Sequence, residues 1–145
     1  MKAPPLQRID HVHVFVRDRA GALRFYAEVL GLAPLPEFAH WAAGGGPLTL
    51  ADAGGTVHVA LFESPGAQPN RSTVALGVDG AVFARWQRHL GAALGEPPAV
   101  HDHGAALSLY FDDPDGNPFE ITTFDAEAAR EALRASGVPP RSAGG

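Results

Sequence analysis

The chain contains no cysteine. That excludes disulfides, thiolate metal sites and cysteine nucleophiles, and it leaves histidine and the carboxylates as the strong metal ligands. Lysine is almost as scarce, since Lys2 is the sole one and the remaining basic side chains are arginines scattered along a chain of net charge -5. A nucleic-acid or anionic-membrane surface is therefore not expected. No stretch approaches the roughly 20 apolar residues of a membrane span. Met1 to Arg8 lacks the apolar run of a secretory signal, so the expected location is cytoplasmic.

What is present fits one domain of ordinary size: 145 residues suffice to bury about two-thirds of the unfolded surface in a core without staples. The 17 glycines and 13 prolines fall mainly between apolar segments and at the C-terminal end, and read as punctuation rather than disorder.

The stretch Ile9 to Val16 reads as the opening strand. Alternation puts His11, His13 and Phe15 on one face and Val12, Val14 and Val16 on the other. Asp18 is placed to cap a helix whose Leu23, Tyr26, Ala27 and Leu30 recur at helical spacing, with Gly31 as its stop. Three short strands are expected next, at Leu35 to Ala42, Pro47 to Ala51 and Thr56 to Glu63, and then a linker, Ser64 to Arg71.

Beyond the linker the order repeats. Ser72 to Val78 reads as a strand, Asp79 as a helix cap, and Val82, Phe83, Trp86 and Leu90 as a helical apolar face. Strands are expected at Ala99 to His103, Leu107 to Phe111 and Pro118 to Phe124. Asp112 to Asn117 joins the last two as a turn; Asp112, Asp113 and Asp115 lack the closing glutamate of a calcium loop. The pattern is βαβββ twice, at a period of about 60 residues. The expected organisation is a single domain over 8–124 built of modules 8–64 and 72–124, a C-terminal helix over 125–135 and a flexible tail over 136–145.

Superposing the repeats places Thr73 where the first module has His11, and Glu120 where it has Ala60. His11 and Glu120 have metal-ligand chemistry; Thr73 and Ala60 do not. His13 and His58 lie two residues from His11 and Ala60 on the same strand faces. Ser108 and Tyr110 share a face of the strand before Glu120. His101 and His103 flank Asp102 in a segment bounded by glycine, where an exposed loop is the plain reading, above all for His103. Trp86 belongs to a core face, whereas Trp41 is free to line a pocket.

Ile-Asp-His-Val at 9–12, Phe-Tyr-Ala-Glu-Val-Leu-Gly-Leu at 25–32 and Tyr-Phe-Asp-Asp-Pro-Asp-Gly-Asn-Pro-Phe-Glu-Ile at 110–121 together resemble the vicinal oxygen chelate superfamily. That superfamily includes glyoxalase I, extradiol dioxygenases, fosfomycin resistance enzymes and bleomycin-binding proteins. The resemblance spans Arg8 to Phe124. It implies an α+β fold in which two βαβββ modules form a curved mixed sheet cup, the glyoxalase/dioxygenase-like fold. It also implies a divalent metal held by His11 and Glu120, with His58 or His13 completing the set, because Thr73 departs from the second-module histidine and Ala60 from the Glu or Gln of glyoxalase I. Fe(II), Mn(II), Zn(II) and Ni(II) all suit imidazole and carboxylate ligands.

Among the activities, glyoxalase I wants four ligands, and a fosfomycin-type enzyme wants cationic groups that a chain without lysine after Lys2 is short of. An extradiol dioxygenase resembles the chain more nearly, because its catalytic module has a His about nine residues before a Tyr and a Glu ten after it: here His101, Tyr110 and Glu120. By that resemblance Tyr110 would hydrogen-bond a phenolate oxygen, with His101 and His58 as acid or base. His13, Trp41, Thr73, Ser108 and Thr122 are the expected pocket residues. The first functional expectation is a metal-dependent enzyme acting on a small oxygenated substrate, aromatic ones included, nearest to the extradiol dioxygenases. The alternatives are a metal-free binding protein of the bleomycin-resistance type and a glyoxalase-like lyase. The resemblance also implies a homodimer.

Overall fold

Two runs of alternating apolar residues, each interrupted by an amphipathic helix, fold into two sheets. The structure is a computed structural model, and it describes residues 2–138 and 141–142. Contacts divide the chain within the expected linker, into units Met1–Gln68 and Pro69–Gly145.

In the first unit β1 (Val12–Val16) leads into α1 (Arg19–Leu30), β2 (Ala33–Pro34), a 3-10 turn (Pro36–Phe38), α2 (Ala39–Ala43), β3 (Leu48–Ala51) and β4 (His58–Glu63). The sheet order is β1-β4-β3-β2, with β1 parallel to β4 and the other pairs antiparallel. Val14 and Val16 are fully buried while His13 and Phe15 face out, as the alternation requires. Asp18 caps α1 by accepting the Gly21 amide at 3.2 Å, and Gly31 closes it at φ 68°, a left-handed backbone that glycine adopts without strain. Tyr26, Val29 and Leu30 bury the inner face of α1, and α1 packs against β4.

Two boundaries differ from expectation. The opening strand is shorter, because its partner β4 begins at His58 and the ladder starts at Val12↔Val59; Ile9 is exposed and His11 stands one residue ahead of β1. The stretch Leu35 to Ala42 is not a strand but the 3-10 turn and α2. Pro36 occupies the first helical position, where its missing amide costs nothing. Leu35, Phe38, Ala39 and Ala42 recur at helical rather than strand spacing. The module's missing strand is the two-residue β2, just upstream.

The second unit runs β5 (Val74–Gly77), α3 (Gly80–Leu94), β6 (Val100–Asp102), β7 (Leu107–Asp112), β8 (Pro118–Thr123), α4 (Ala126–Ala135) and β9 (Arg141–Ser142). Its sheet order is β5-β8-β7-β6-β9, with β5 parallel to β8. Part of the expected tail thus pairs with β6, His101 lying opposite Arg141. Leu107, Leu109, Phe111, Phe119 and Ile121 form the buried face, and α3 packs on both β8 and α4 through Phe83, Leu90, Ala129 and Leu133. Between β7 and β8, Asp113 Oδ1 accepts the amides of Asp115 and Asn117 at 2.9 and 2.8 Å, and Asn117 Nδ2 donates to its Oδ2 at 2.9 Å. Asp113 is therefore occupied as a turn residue. No helix among the described residues is long and apolar enough to cross a membrane.

The registers of the two modules match: His13 lies opposite Ala60 in the β1–β4 pair, and Ala75 opposite Glu120 in the β5–β8 pair. Ala60 and Glu120 are therefore equivalent, as are His11 and Thr73.

Candidate functional site

In the first unit a cavity of about 320 Å³ is lined by Arg8, Asp10, His11, His13, Phe38, Trp41, Pro47, Thr49, His58 and Ala60. Its polar floor is continuous. Arg8 Nη2 donates to Asp10 Oδ2 at 3.2 Å, Asp10 Oδ1 accepts from His11 Nδ1 at 2.9 Å, and His11 Nε2 stands 3.1 Å from His13 Nε2. The hydrogen bond from His11, and then that from Arg8, holds the Asp10 carboxyl below its usual range. His58 contributes the first residue of β4, one step along the strand from Val59, the partner of Val12. The apolar wall is Phe38 and Trp41, one helical turn apart, with ring centroids 4.5 Å apart and planes 6° from parallel. Trp41 thus lines the cavity from α2, although it was expected on a strand.

In the second unit Glu120 is half-buried, and its Oε1 accepts the Ser108 hydroxyl at 2.5 Å. Thr122 Oγ1 lies 3.2 Å from Ser108 Oγ and donates to the Leu107 carbonyl. Ser108 is almost fully buried, so its hydroxyl fixes one carboxylate oxygen of Glu120 and leaves the second for another partner. Thr73 stands exposed, one residue ahead of β5.

Tyr110 makes its hydroxyl contact with His103 Nε2, at 3.1 Å, while the His101 ring meets the Tyr110 ring edge-on at 5.2 Å between centroids. His103 is exposed and lies just past the end of β6, as the sequence suggests, yet it is this loop residue that meets the tyrosine hydroxyl. In His101-Asp102-His103 the two imidazoles stack on one side at the end of β6 and Asp102 takes the other, where Arg130 of α4 grips it at 2.8 Å through two nitrogens. Arg130 also donates to the Gly104 carbonyl, which fixes the residue after His103. The clamp, His103 and Tyr110 thus form one connected arrangement.

That clamp depends on pH. Hydrogen bonds from Arg130, and then from the Gly104 amide, pull the Asp102 carboxyl down to about 2. A carboxylate whose folded pKa lies below its unfolded one stabilises the fold above the unfolded value and loses that contribution as pH falls through the folded value. Denaturant unfolding of the wild type should therefore show a decline in stability between about pH 4 and pH 2 that is shallower in Arg130→Ala. High salt should weaken the difference, because the pair is partly solvated. Identical acid limbs would mean the clamp contributes nothing.

Among the described residues no group of three or more His, Asp or Glu side chains stands at metal-ligand spacing. The donors present are pairs and single groups: His11 with His13, and Glu120 with its serine.

Two βαβββ modules, each with an open sheet face bearing imidazole or carboxylate, define a paired-module α+β protein. The model of the Glyoxalase/Bleomycin resistance protein/Dioxygenase superfamily matches residues 8–121, and the chain belongs to that superfamily. Solved structures of the same fold include a glyoxalase/dioxygenase from Nostoc punctiforme, 24% identical, with a TM-score of 0.64 over 85% of this chain and 95% of that one. A glyoxylase/bleomycin resistance protein/dioxygenase domain from Frankia sp. EAN1pec is 18% identical, with a TM-score of 0.64 over 82% of this chain and 93% of that one. The fosfomycin resistance protein FosX from Mesorhizobium loti is 20% identical, with a TM-score of 0.58 over 82% of this chain and 93% of that one. No curated protein matches the chain.

Proposed function

We propose that this protein is a divalent-metal-dependent vicinal oxygen chelate enzyme. Its substrate is a small oxygenated molecule, aromatic ones included, and its nearest relatives in chemistry are the extradiol dioxygenases. The observation that carries the reading is the Asp10–His11 contact. An imidazole whose Nδ1 is held by a carboxylate at 2.9 Å presents Nε2 in a fixed orientation, the arrangement metal-ligating histidines use. Glu120, held by Ser108 in the same manner, is the second ligand, and His58 is available as a third. The donor set of imidazole nitrogen and carboxylate oxygen fits Fe(II), Mn(II), Zn(II) or Ni(II). Bound there, such an ion would supply Lewis-acid stabilisation of negative charge on a substrate's adjacent oxygens.

The remaining residues bind and move protons. Tyr110 is the hydrogen-bond partner for a phenolic oxygen, and His103 rather than His101 is the group in contact with that hydroxyl, so it is the acid or base through which the proton leaves. His101 packs against the tyrosine ring and restricts its orientation. Trp41 and Phe38 form a flat wall suited to an aromatic or planar substrate. Thr73, Ser108 and Thr122 complete the reading as pocket or positioning residues, and the functional form is a homodimer.

A second reading, a metal-free binder of the bleomycin-resistance type, is favoured by the same aromatic wall, because stacked rings beside an acidic side chain suit a planar cation. Protein purified without chelators and assayed for metal, then screened by thermal shift against catechols and planar cationic compounds with and without EDTA, separates the two. Stoichiometric metal, and stabilisation by catechols that EDTA abolishes, is the result expected of the enzyme. No metal uptake from Fe(II), Mn(II), Zn(II) or Ni(II), with stabilisation that ignores EDTA, would leave the binder.

A further inference from the structure

We propose that His13 is itself a metal ligand, so that the first module alone presents a His-x-His pair, His11 and His13, to a borderline divalent cation such as Ni(II), Co(II) or Zn(II). This deepens the metal-dependent reading above and rests on it.

Residues two apart on an extended chain have Cα atoms roughly 6.5 Å from each other, and solvated side chains at such positions have no need to meet. Here they do meet. The ring centroids are 5.1 Å apart with planes 21° from parallel, and the two Nε2 atoms are 3.1 Å apart, closer than the ring centres. Two imidazole nitrogens sharing an ion at about 2.1 Å each stand roughly 3.0 Å apart at a right angle and roughly 3.4 Å apart at the tetrahedral angle. The observed 3.1 Å lies within that span.

The protonation pattern agrees with the geometry. An ionised carboxylate only accepts, so the Asp10 contact puts the hydrogen of a neutral His11 on Nδ1 and leaves a lone pair on Nε2, aimed at His13. Without metal, His13 supplies the hydrogen between the two nitrogens. A cation bound there would stand in the place of that hydrogen, with His13 carrying its own hydrogen on Nδ1 instead.

The surroundings leave room for the ion. His13 lies opposite Ala60 on β4, and Ala60 lies opposite Thr49 on β3, so the side chains directly across the sheet from His13 are a methyl group and a small hydroxyl, while the Phe62 ring packs beside it at 4.8 Å between centroids. Ala60 and Thr49 line the 320 Å³ cavity with the two histidines. An imidazole on β1 thereby occupies the ground that a longer side chain at position 60 would have filled from β4. Nitrogen donors favour late first-row cations over Mg(II) or Ca(II).

The test is titration of the full chain, stripped with EDTA and desalted, with Ni(II) or Zn(II) by calorimetry, with ¹H–¹⁵N spectra of the imidazole nitrogens recorded on the Zn(II) form. The expected result is one tight equivalent, with the Nε2 resonances of both His11 and His13 displaced. His13→Ala should weaken binding by at least the roughly tenfold to hundredfold that loss of an outer-shell partner costs, and Asp10→Asn by about that amount. Because His13 is exposed, the metal-free melting temperature of His13→Ala should match the wild type. Binding by His13→Ala equal to the wild type, with His11→Ala still impaired, would overturn the pair and leave the metal-dependent reading standing. No uptake by the wild type would remove both.

Discussion

Replacing Gly80 with alanine should cost the protein about 3 kcal/mol or more, an expectation opposite in sign to what helix propensity forecasts. Gly80 is the first residue of α3, where alanine is intrinsically favoured over glycine by up to about 1 kcal/mol. A Cβ at this position would lie 2.3 Å from the carbonyl oxygen of Asp125 and 3.0 Å from both Ala128 Cβ and the Ala129 amide nitrogen. The neighbour is backbone, so it does not yield as a flexible side-chain tip does. That same carbonyl accepts the first hydrogen bond of α4, from Ala129 at 3.1 Å, so relieving the clash means breaking the start of α4 or parting α3 from α4. The clash term therefore exceeds the propensity term. Denaturant unfolding should show the loss, with the melting temperature falling by roughly 10 °C. Gly77→Ala is the matched control: no atom lies within 4 Å of its Cβ and its φ is not left-handed, so stability should be unchanged or slightly raised. Equal stability of Gly80→Ala and the wild type would mean that the two helices adjust freely at this contact.

Most of this architecture was legible in the sequence because it rests on local periodicity. Val14 and Val16 alternate with His13 and Phe15, and Asp18 and Gly31 bracket α1, so the burial of β1 and the ends of its helix follow from residue types alone. The segment after α1 was misread for a physical reason. Two-residue β2 contains Pro34 and carries no periodicity to detect, and the demand for a third strand then fell on Leu35 to Ala42, whose apolar spacing is helical. Strand identity there is decided by pairing with β3, a contact that leaves no mark in the segment itself.

The candidate site was legible to a different degree. The equivalence of Ala60 with Glu120 follows from a period of two in each strand, and the matched registers reproduce it. What periodicity does not convey is which of several side chains on one face make contact. Ser108 was expected only as pocket lining, yet its hydroxyl is committed to Glu120. His103 is the exposed loop residue that the sequence suggests, but Asp102 and Arg130 hold the end of β6 beside it, and it is His103 rather than His101 that meets the Tyr110 hydroxyl. Arg130 lies 28 positions from Asp102, and a contact at that separation is visible only after α4 has docked.

Glu120→Gln should strongly weaken uptake of Fe(II) and Mn(II) while leaving the fold almost untouched. Glutamine has the same shape and retains a side-chain oxygen that can accept the Ser108 hydroxyl, so the buried serine keeps its partner and the unfolding free energy should move by no more than about 0.5 kcal/mol. What glutamine lacks is the negative charge and the second carboxylate oxygen. Ser108→Ala makes the complementary change, keeping the carboxylate and removing the hydroxyl that orients it. By the usual effect of an outer-shell partner it should lower metal affinity by roughly 10- to 100-fold, and Glu120→Gln should exceed that loss. Titration of both variants with Fe(II) or Mn(II), cations for which a carboxylate ligand matters more than for Ni(II), makes the order measurable. If Glu120→Gln binds these cations as well as the wild type, Glu120 is a pocket carboxylate rather than a ligand.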